Sequence, residues 1–291
     1  MSANKFGGVI TALVTPFKKG EIDLPSFKRL LSHQLEQGVR GFVVNGTTGE
    51  SPNLSVDEIK RLFECARSES GGQATLIVGT GSNSTRKTIE LSQTVAAWKP
   101  EALLTVVPYY NKPPQRGLQA HFNLIADSVD VPIILYNVPS RTVANMEAAT
   151  VGSLSHHKNI VAIKDATGDL KVLRDLSAAV TKDFVLLSGD DGSCVDFAAA
   201  GGHGVISVSS HIIGKEMVQA LVAAKSSAEA YRERYANFMR LLYIEANPIP
   251  VKAALHWMGI IDSPELRLPL VELDPKYHKE FQQCLKELGK L

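Results

Sequence analysis

Cysteine is scarce in this chain. Cys65, Cys194 and Cys284 stand far apart with no CxxC pair, which excludes a disulfide framework and a zinc knuckle and points to a reducing compartment, the cytoplasm. Long apolar runs are lacking too. No segment approaches the roughly 20 apolar residues of a membrane span, and the opening stretch MSANKFGGVITAL has no long apolar run behind a basic region. Excess charge of one sign is missing: 31 Lys and Arg face 30 Asp and Glu. With no basic block and no cationic amphipathic helix, nucleic acid and membrane surfaces are excluded as partners.

What is present is enough apolar material for a core, 44% of 291 residues. Short β-branched runs recur, each followed by turn residues: GVITALVTP (8–16), GFVVNG (41–46), TLIVGTG (75–81), ALLTVVP (102–108), PIILYNVP (132–139), NIVAIKDA (159–166), FVLLSGDD (184–191) and GVISVSS (204–210). Most lack a polar alternate face, as strands covered on both sides do. Between them lie patterns with apolar residues at spacings of three and four, such as residues 24–38, 55–69 and 84–98, the second opening on a capping box at Ser55 and Glu58. Eight such alternations predict a (β/α)8 TIM barrel; a doubly wound open sheet is the competitor, and even spacing favours closure. The helical periodicity that fills the rest predicts a C-terminal helical appendix, giving a barrel over residues 1–225 and a helical region over 226–291.

Polar residues at the C-terminal ends of barrel strands are candidates for chemistry. Lys164 ends the sixth run. By the two-residue strand period it shares a face with Ala162 and Ile160, and the small Ala162 leaves room beneath it. Alone, such a lysine is more often one that snorkels to solvent. A desolvated lysine, however, tends toward the neutral amine, which adds to ketones to form a Schiff base. Tyr136 ends the neighbouring run and can shuttle the protons that carbinolamine dehydration needs, although an isolated tyrosine here is more often a core aromatic. NGTTGES (45–51) offers two adjacent hydroxyls and backbone N–H groups on a Gly-flanked turn, suited to a carboxylate; by itself it reads as a tight turn.

Other motifs carry less. GTGSNS (79–84) lacks the third glycine of a dinucleotide fingerprint and any GK[ST] element, and reads as a turn into a helix. Asp190 and Asp191 have no histidine partners of the kind metal-dependent barrels place on strand one, so they read as loop and capping carboxylates, and no metal is expected. His156 and His157 read as solvated, His203 and His211 as structural.

Seven motifs in order, GTTGES (46–51), PYYN (108–111), YNVPSRT (136–142), IKDATG (163–168), LLSGDD (186–191), GGHGVISV (201–208) and NPIPVK (247–252), together resemble the dihydrodipicolinate synthase family of pyruvate-dependent class I aldolases and lyases. The resemblance covers essentially the whole chain. It implies a cofactor-free enzyme in which Lys164 forms an imine with pyruvate, and the derived enamine attacks L-aspartate 4-semialdehyde in the diaminopimelate route to lysine. It further implies Tyr136 as proton shuttle, relayed through Thr47 to a Tyr110 contributed by a neighbouring subunit, so that the protein is a homo-oligomer, a dimer or a dimer-of-dimers tetramer. Thr48 would hold the pyruvate carboxylate, Arg141 the semialdehyde carboxylate, for which its planar fork is suited, and Gly189 and Ile206 would line the pyruvate pocket with backbone groups. Arg141 separates this reading from the sialic acid lyases and related sugar-acid aldolases, which resemble the chain around the lysine and tyrosine but lack an arginine after YNVP. The other readings are another pyruvate aldolase acting on a hydroxy-oxo acid, and a noncatalytic barrel binding a small carboxylate; reductive trapping of pyruvate on Lys164 separates the last from the first two.

Two positions depart from the family pattern. Where relatives read SRTG this chain has Val143, and a β-branched residue is costly at positive φ, so a different backbone path is expected there. Where lysine-inhibited relatives use a histidine and a glutamate, this chain offers Val56 or Ile59 and Lys87. A cationic ligand would meet a cation where it needs a carboxylate, so weak or absent feedback by lysine is expected despite Ser51, Asn83 and Tyr109.

Overall fold

In the computed structural model, which describes residues 5–291, each of the eight apolar runs contributes one strand: β1 (Gly8–Ala12), β2 (Gly41–Val44), β3 (Thr75–Gly79), β4 (Ala102–Val106), β5 (Ile133–Asn137), β6 (Ile160–Asp165), β7 (Val185–Ser188) and β8 (Gly204–Ser207). They pair in parallel and in chain order, and β8 closes on β1. The open-sheet alternative is thereby eliminated. Parallel pairing puts all eight C-terminal strand ends at one mouth, the geometry from which barrel active sites are built.

Four of the barrel helices begin at a side-chain cap, Asp23, Ser55, Ser84 or Asp169. Between β2 and β3, the helix Val56–Ser70 opens on the capping box: the Ser55 hydroxyl accepts from Glu58 N at 3.2 Å and the Glu58 carboxylate from Ser55 N at 2.8 Å. Ser84 caps the helix Thr85–Ala96, so GTGSNS is the turn into a helix. After the last barrel helix, Ser210–Val222, follow three more at Ala224–Leu242, Ile249–Trp257 and His278–Glu287. Phe238, Leu241, Val251 and Phe281 from these helices join the apolar layer between sheet and helices. Among the described residues no helix is long and apolar enough to cross a membrane.

The barrel interior is a separate, smaller cluster that includes Ile10, Val43, Ile77, Leu104, Ile134, Tyr136, Ala162, Leu187 and Ile206. Ala162 lies inside, as the two-residue period requires. Ile160 does not. The register between β5 and β6 runs Ile133 to Ile160 and then Ile134 to Ala162, so Val161 is an extra residue in a bulge. A bulge inverts the faces of the residues before it, and Ile160 accordingly packs in the outer layer with Ile163 while Val161 touches the inner one.

Two histidines are buried neutral. His211 is fully buried; its Nδ1 donates to the Val208 carbonyl at 2.8 Å and its Nε2 accepts from Val14 N at 3.2 Å, an arrangement that fixes the uncharged tautomer. His121 is 5% exposed against Phe122. Burial pushes both imidazoles down to about 4. Between there and the ordinary value of 6.5 the unfolded chain binds more protons than the native one, so stability rises with pH. It is fully present above pH 6.5 and lost as the pH falls through 4, by up to about 3 kcal/mol for each histidine. Urea midpoints measured from pH 7 to pH 4 are expected to fall steeply, and His211→Gln to flatten the fall; a flat profile in the parent protein would refute the assignment.

Candidate active site

The mouth of the barrel holds a cavity of about 210 Å³. Lys164 projects into it from the end of β6, 6% exposed. Its register partner on β5 is Tyr136, and the Lys164 Nζ lies 4.2 Å from the centre of the tyrosine ring. Among the described residues no carboxylate lies within the 4.0 Å ion-pair distance of that nitrogen. The amine is therefore enclosed and free of a salt-bridge partner, next to a phenol. Gly189, just past β7, makes the enclosure possible: a Cβ there would stand 2.8 Å from the Lys164 Cε and 2.8 Å from the Ala166 Cβ. Any side chain at 189 would have to displace the lysine.

Thr47 and Thr48 line the opposite wall on the short helical turn Thr47–Gly49 after β2. The turn is held by the Thr15 hydroxyl, which donates to the Gly49 carbonyl at 2.8 Å. Thr48 is buried, and its hydroxyl accepts from Asn247 Nδ2 at 2.9 Å. Arg141 reaches the rim from a one-turn helix, Pro139–Thr142, and its Nη2 donates to the Asn247 carbonyl over a long 3.4 Å. That helix ends at Val143, whose φ of 62° and ψ of −19° are left-handed. The path expected to change thus keeps the conformation a glycine would take, and a 66% exposed valine carries the strain. Thr142 pins the turn by donating to the Ala144 carbonyl at 2.7 Å.

Five of the residues singled out in the sequence as catalytic or carboxylate-binding, Lys164, Tyr136, Thr47, Thr48 and Arg141, converge on this one cavity together with Gly189. Two others do not. Ile206 lies in the barrel interior, and the cavity wall at this strand end is formed by Val208, just past β8, instead. Tyr110 stands outside the cavity with a φ of 76° and 85% exposure.

Residues that sequence reasoning passed over complete the wall. Asn247 touches Thr48 and Arg141; its NPIPVK setting was a visible signal. Tyr243 had none. Its hydroxyl donates to Asp191 Oδ2 at 2.7 Å, and the same oxygen accepts from the backbone N–H groups of Val208 at 3.0 Å and Ser209 at 2.8 Å. Tyr243 as a whole is 44% exposed, but its hydroxyl end is enclosed, and that local burial, reinforced by the Asp191 charge, pushes the phenol well above its ordinary range; the hydroxyl is therefore a donor that ties the C-terminal helices to the strand end. Asp190 caps the next turn through Ser193 N at 2.9 Å. The two aspartates are thus loop and capping groups, and among the described residues no three His, Cys, Asp or Glu side chains gather as a metal would require. His203 accepts from Leu186 N at 3.0 Å and is structural.

A second cavity, of about 400 Å³, adjoins the first, with Thr47, Val138 and Arg141 lining both. Val56, Ile59, Leu54 and Leu91 make it apolar, and no carboxylate lines it.

Comparison with known proteins matches this arrangement to one family. The model of the dihydrodipicolinate synthetase family matches residues 5–288. A 4-hydroxy-tetrahydrodipicolinate synthase of Bdellovibrio bacteriovorus is 51% identical over 290 residues, covering 98% of this chain and 99% of the relative. Among solved structures, the dihydrodipicolinate synthase of Thermotoga maritima superposes with a TM-score of 0.95 at 40% identity, covering 99% of this chain and 100% of that one. The DHDPS of Cyanidioschyzon merolae with lysine bound gives a TM-score of 0.93, also at 40% identity, with 99% of each chain covered.

Proposed function

The chain belongs to the dihydrodipicolinate synthetase family, and from that premise we propose that the barrel mouth carries pyruvate as an imine on Lys164 and condenses it with L-aspartate 4-semialdehyde. The activity is that of a 4-hydroxy-tetrahydrodipicolinate synthase, a carbon–carbon bond-forming lyase of the diaminopimelate route to lysine. The observation that carries the assignment of residues is the pairing of Lys164 with Tyr136, in register on adjacent strands with the lysine Nζ 4.2 Å from the centre of the tyrosine ring.

The Lys164 amine adds to the ketone of pyruvate, and the carbinolamine loses water to leave the imine. Loss of a proton from the pyruvyl methyl gives the enamine, whose carbon bonds to the aldehyde. The substrate's own amine then displaces Lys164 as the ring closes. Tyr136 is the group placed to hand protons on and off at the first nitrogen. The imine is itself the electron sink for these steps, so this reading calls for no cofactor. Thr48 suits the pyruvate carboxylate because its hydroxyl is already oriented by Asn247, and Arg141 suits the second carboxylate because the rim offers it charge and a planar fork. Tyr110, exposed and outside its own subunit's cavity, fits a role in the site of a second copy; this favours a homo-oligomer, dimer or tetramer, with the relay running through Thr47.

Substrate choice is the part of the reading most open to test. Arg141→Met is expected to lower kcat/KM for the semialdehyde about 10- to 100-fold, the worth of a hydrogen bond to a charged group, with the KM for pyruvate nearly unchanged in a coupled assay. Turnover of a hydroxy-oxo sugar acid in preference to the semialdehyde would instead make this a different pyruvate aldolase. Lysine is expected to inhibit weakly or not at all, because the adjoining cavity has Val56 and Ile59 and no carboxylate to meet a second ammonium. Strong inhibition by micromolar lysine would overturn that expectation.

A further inference from the structure

The turn that carries the two threonines ends in a charge with no access to water. Glu50 follows Gly49 in a left-handed conformation, φ 58°, and its N–H closes the turn onto the Thr47 carbonyl at 3.1 Å. Its carboxylate points away from the cavity. Oε1 accepts from Lys252 Nζ at 2.8 Å and Oε2 from the backbone N–H of Arg267 at 3.0 Å. Lys252 also donates to the Glu265 carbonyl at 2.6 Å and lies 4.4 Å from the centre of the Phe17 ring. Both side chains of the ion pair are 0% exposed.

No step of the reaction uses either group. Stability does not account for them well, because well-packed apolar replacements of a buried ion pair are often neutral or stabilising, by about 1 to 4 kcal/mol. Burial in fact pushes the Lys252 ammonium down to about 8 against the pull of Glu50. What the pair does supply is direction. Lys252 lies on the same stretch as Asn247, which donates to the Thr48 hydroxyl and accepts from Arg141. Residues 247–252 therefore hold the threonine turn at two points, by side chain at Thr48 and by charge at Glu50, and reach the arginine from the same backbone.

We propose that Glu50 and Lys252 are positioning residues: their ion pair locks the threonine turn against residues 247–252, so that the Thr48 hydroxyl and the Arg141 guanidinium face the cavity at a fixed separation. The inference rests on the carboxylate-binding roles given to those two residues above.

The experiment is a double-mutant cycle on the full-length protein. Replacing both members of the pair, Glu50→Gln with Lys252→Met, leaves no unpaired buried charge; such a protein is expected to fold, to form the reduced pyruvate adduct at saturating pyruvate, and to show a KM for pyruvate raised about tenfold, the loss of one well-oriented hydrogen bond. Thr48→Val is expected to raise the same KM. Combined, the changes are expected to add less than about twofold to Thr48→Val alone, because both remove the same orientation. An unchanged KM in a folded pair variant, or fully additive effects, would overturn the proposal. If Thr48→Val alone left KM unchanged, the role of Thr48 would fail instead. Should the pair variant not fold, Glu50→Gln alone removes the charge while keeping a near-isosteric side chain beside Lys252 and the Arg267 N–H, and it carries the same expectations: a raised KM and non-additivity with Thr48→Val, with a parental KM refuting the clamp.

Discussion

Lys164→Ala is expected to abolish the adduct that borohydride traps with pyruvate, and to lower kcat/KM about 10⁴-fold or more, the scale on which removing a covalent nucleophile acts. The parent protein should gain the mass of one reduced pyruvyl group, located on Lys164 by peptide mapping. The variant should gain none. The test is clean because the Lys164 Nζ has no carboxylate partner within ion-pair distance among the described residues: no buried charge is orphaned by its removal, and the space left opens into the existing cavity. The fold should therefore persist, as far-UV circular dichroism and melting can verify. An adduct formed elsewhere in the variant, or undiminished turnover, would remove the basis of the assignment.

The second large effect is expected at Tyr136. Tyr136→Phe keeps the ring beside the Lys164 amine and deletes only the hydroxyl, so the 7% exposed side chain stays packed in the barrel interior. kcat should fall about 10²- to 10⁴-fold, the usual contribution of a positioned proton donor or acceptor, and the KM for pyruvate should move little. The reduced adduct should still form, though more slowly, which sets this variant apart from Lys164→Ala. A parental kcat would show that protons reach the carbinolamine by another route.

Much of this site could be read from the chain. The ends of the fifth and sixth runs predicted that Lys164 and Tyr136 would stand side by side, because parallel register is regular and strand ends align at the barrel mouth. Ser55 and Glu58 announced their capping box because all its partners lie within three residues. The bulge at Val161 was not legible. An extra residue in a ladder depends on how β5 and β6 meet, and it sent Ile160 to the outer layer although the alternation pattern placed it inside. Val143 was legible as a departure from its family and misleading as to outcome, since Thr142 and the helix Pro139–Thr142 hold the left-handed turn whatever side chain follows.

The chain by itself determined the eight-fold alternation, the C-terminal strand ends as the place of chemistry, and an amine with a phenol on the neighbouring strand end, while closure of the barrel was decided by β8 pairing with β1; the former follow from periodicities of two and 3.6 residues and from groups close in sequence. Only the tertiary structure decided that Glu50 would bury its charge against Lys252 across 202 positions, that Asn247 would reach Thr48 across 199, that Tyr243 would fix Asp191, and that Tyr110 would face outward. Such contacts leave no periodic trace: each depends on where closure of the barrel and the last helices bring two distant segments, and burial then admits only partners that satisfy each other's charge and hydrogen bonds.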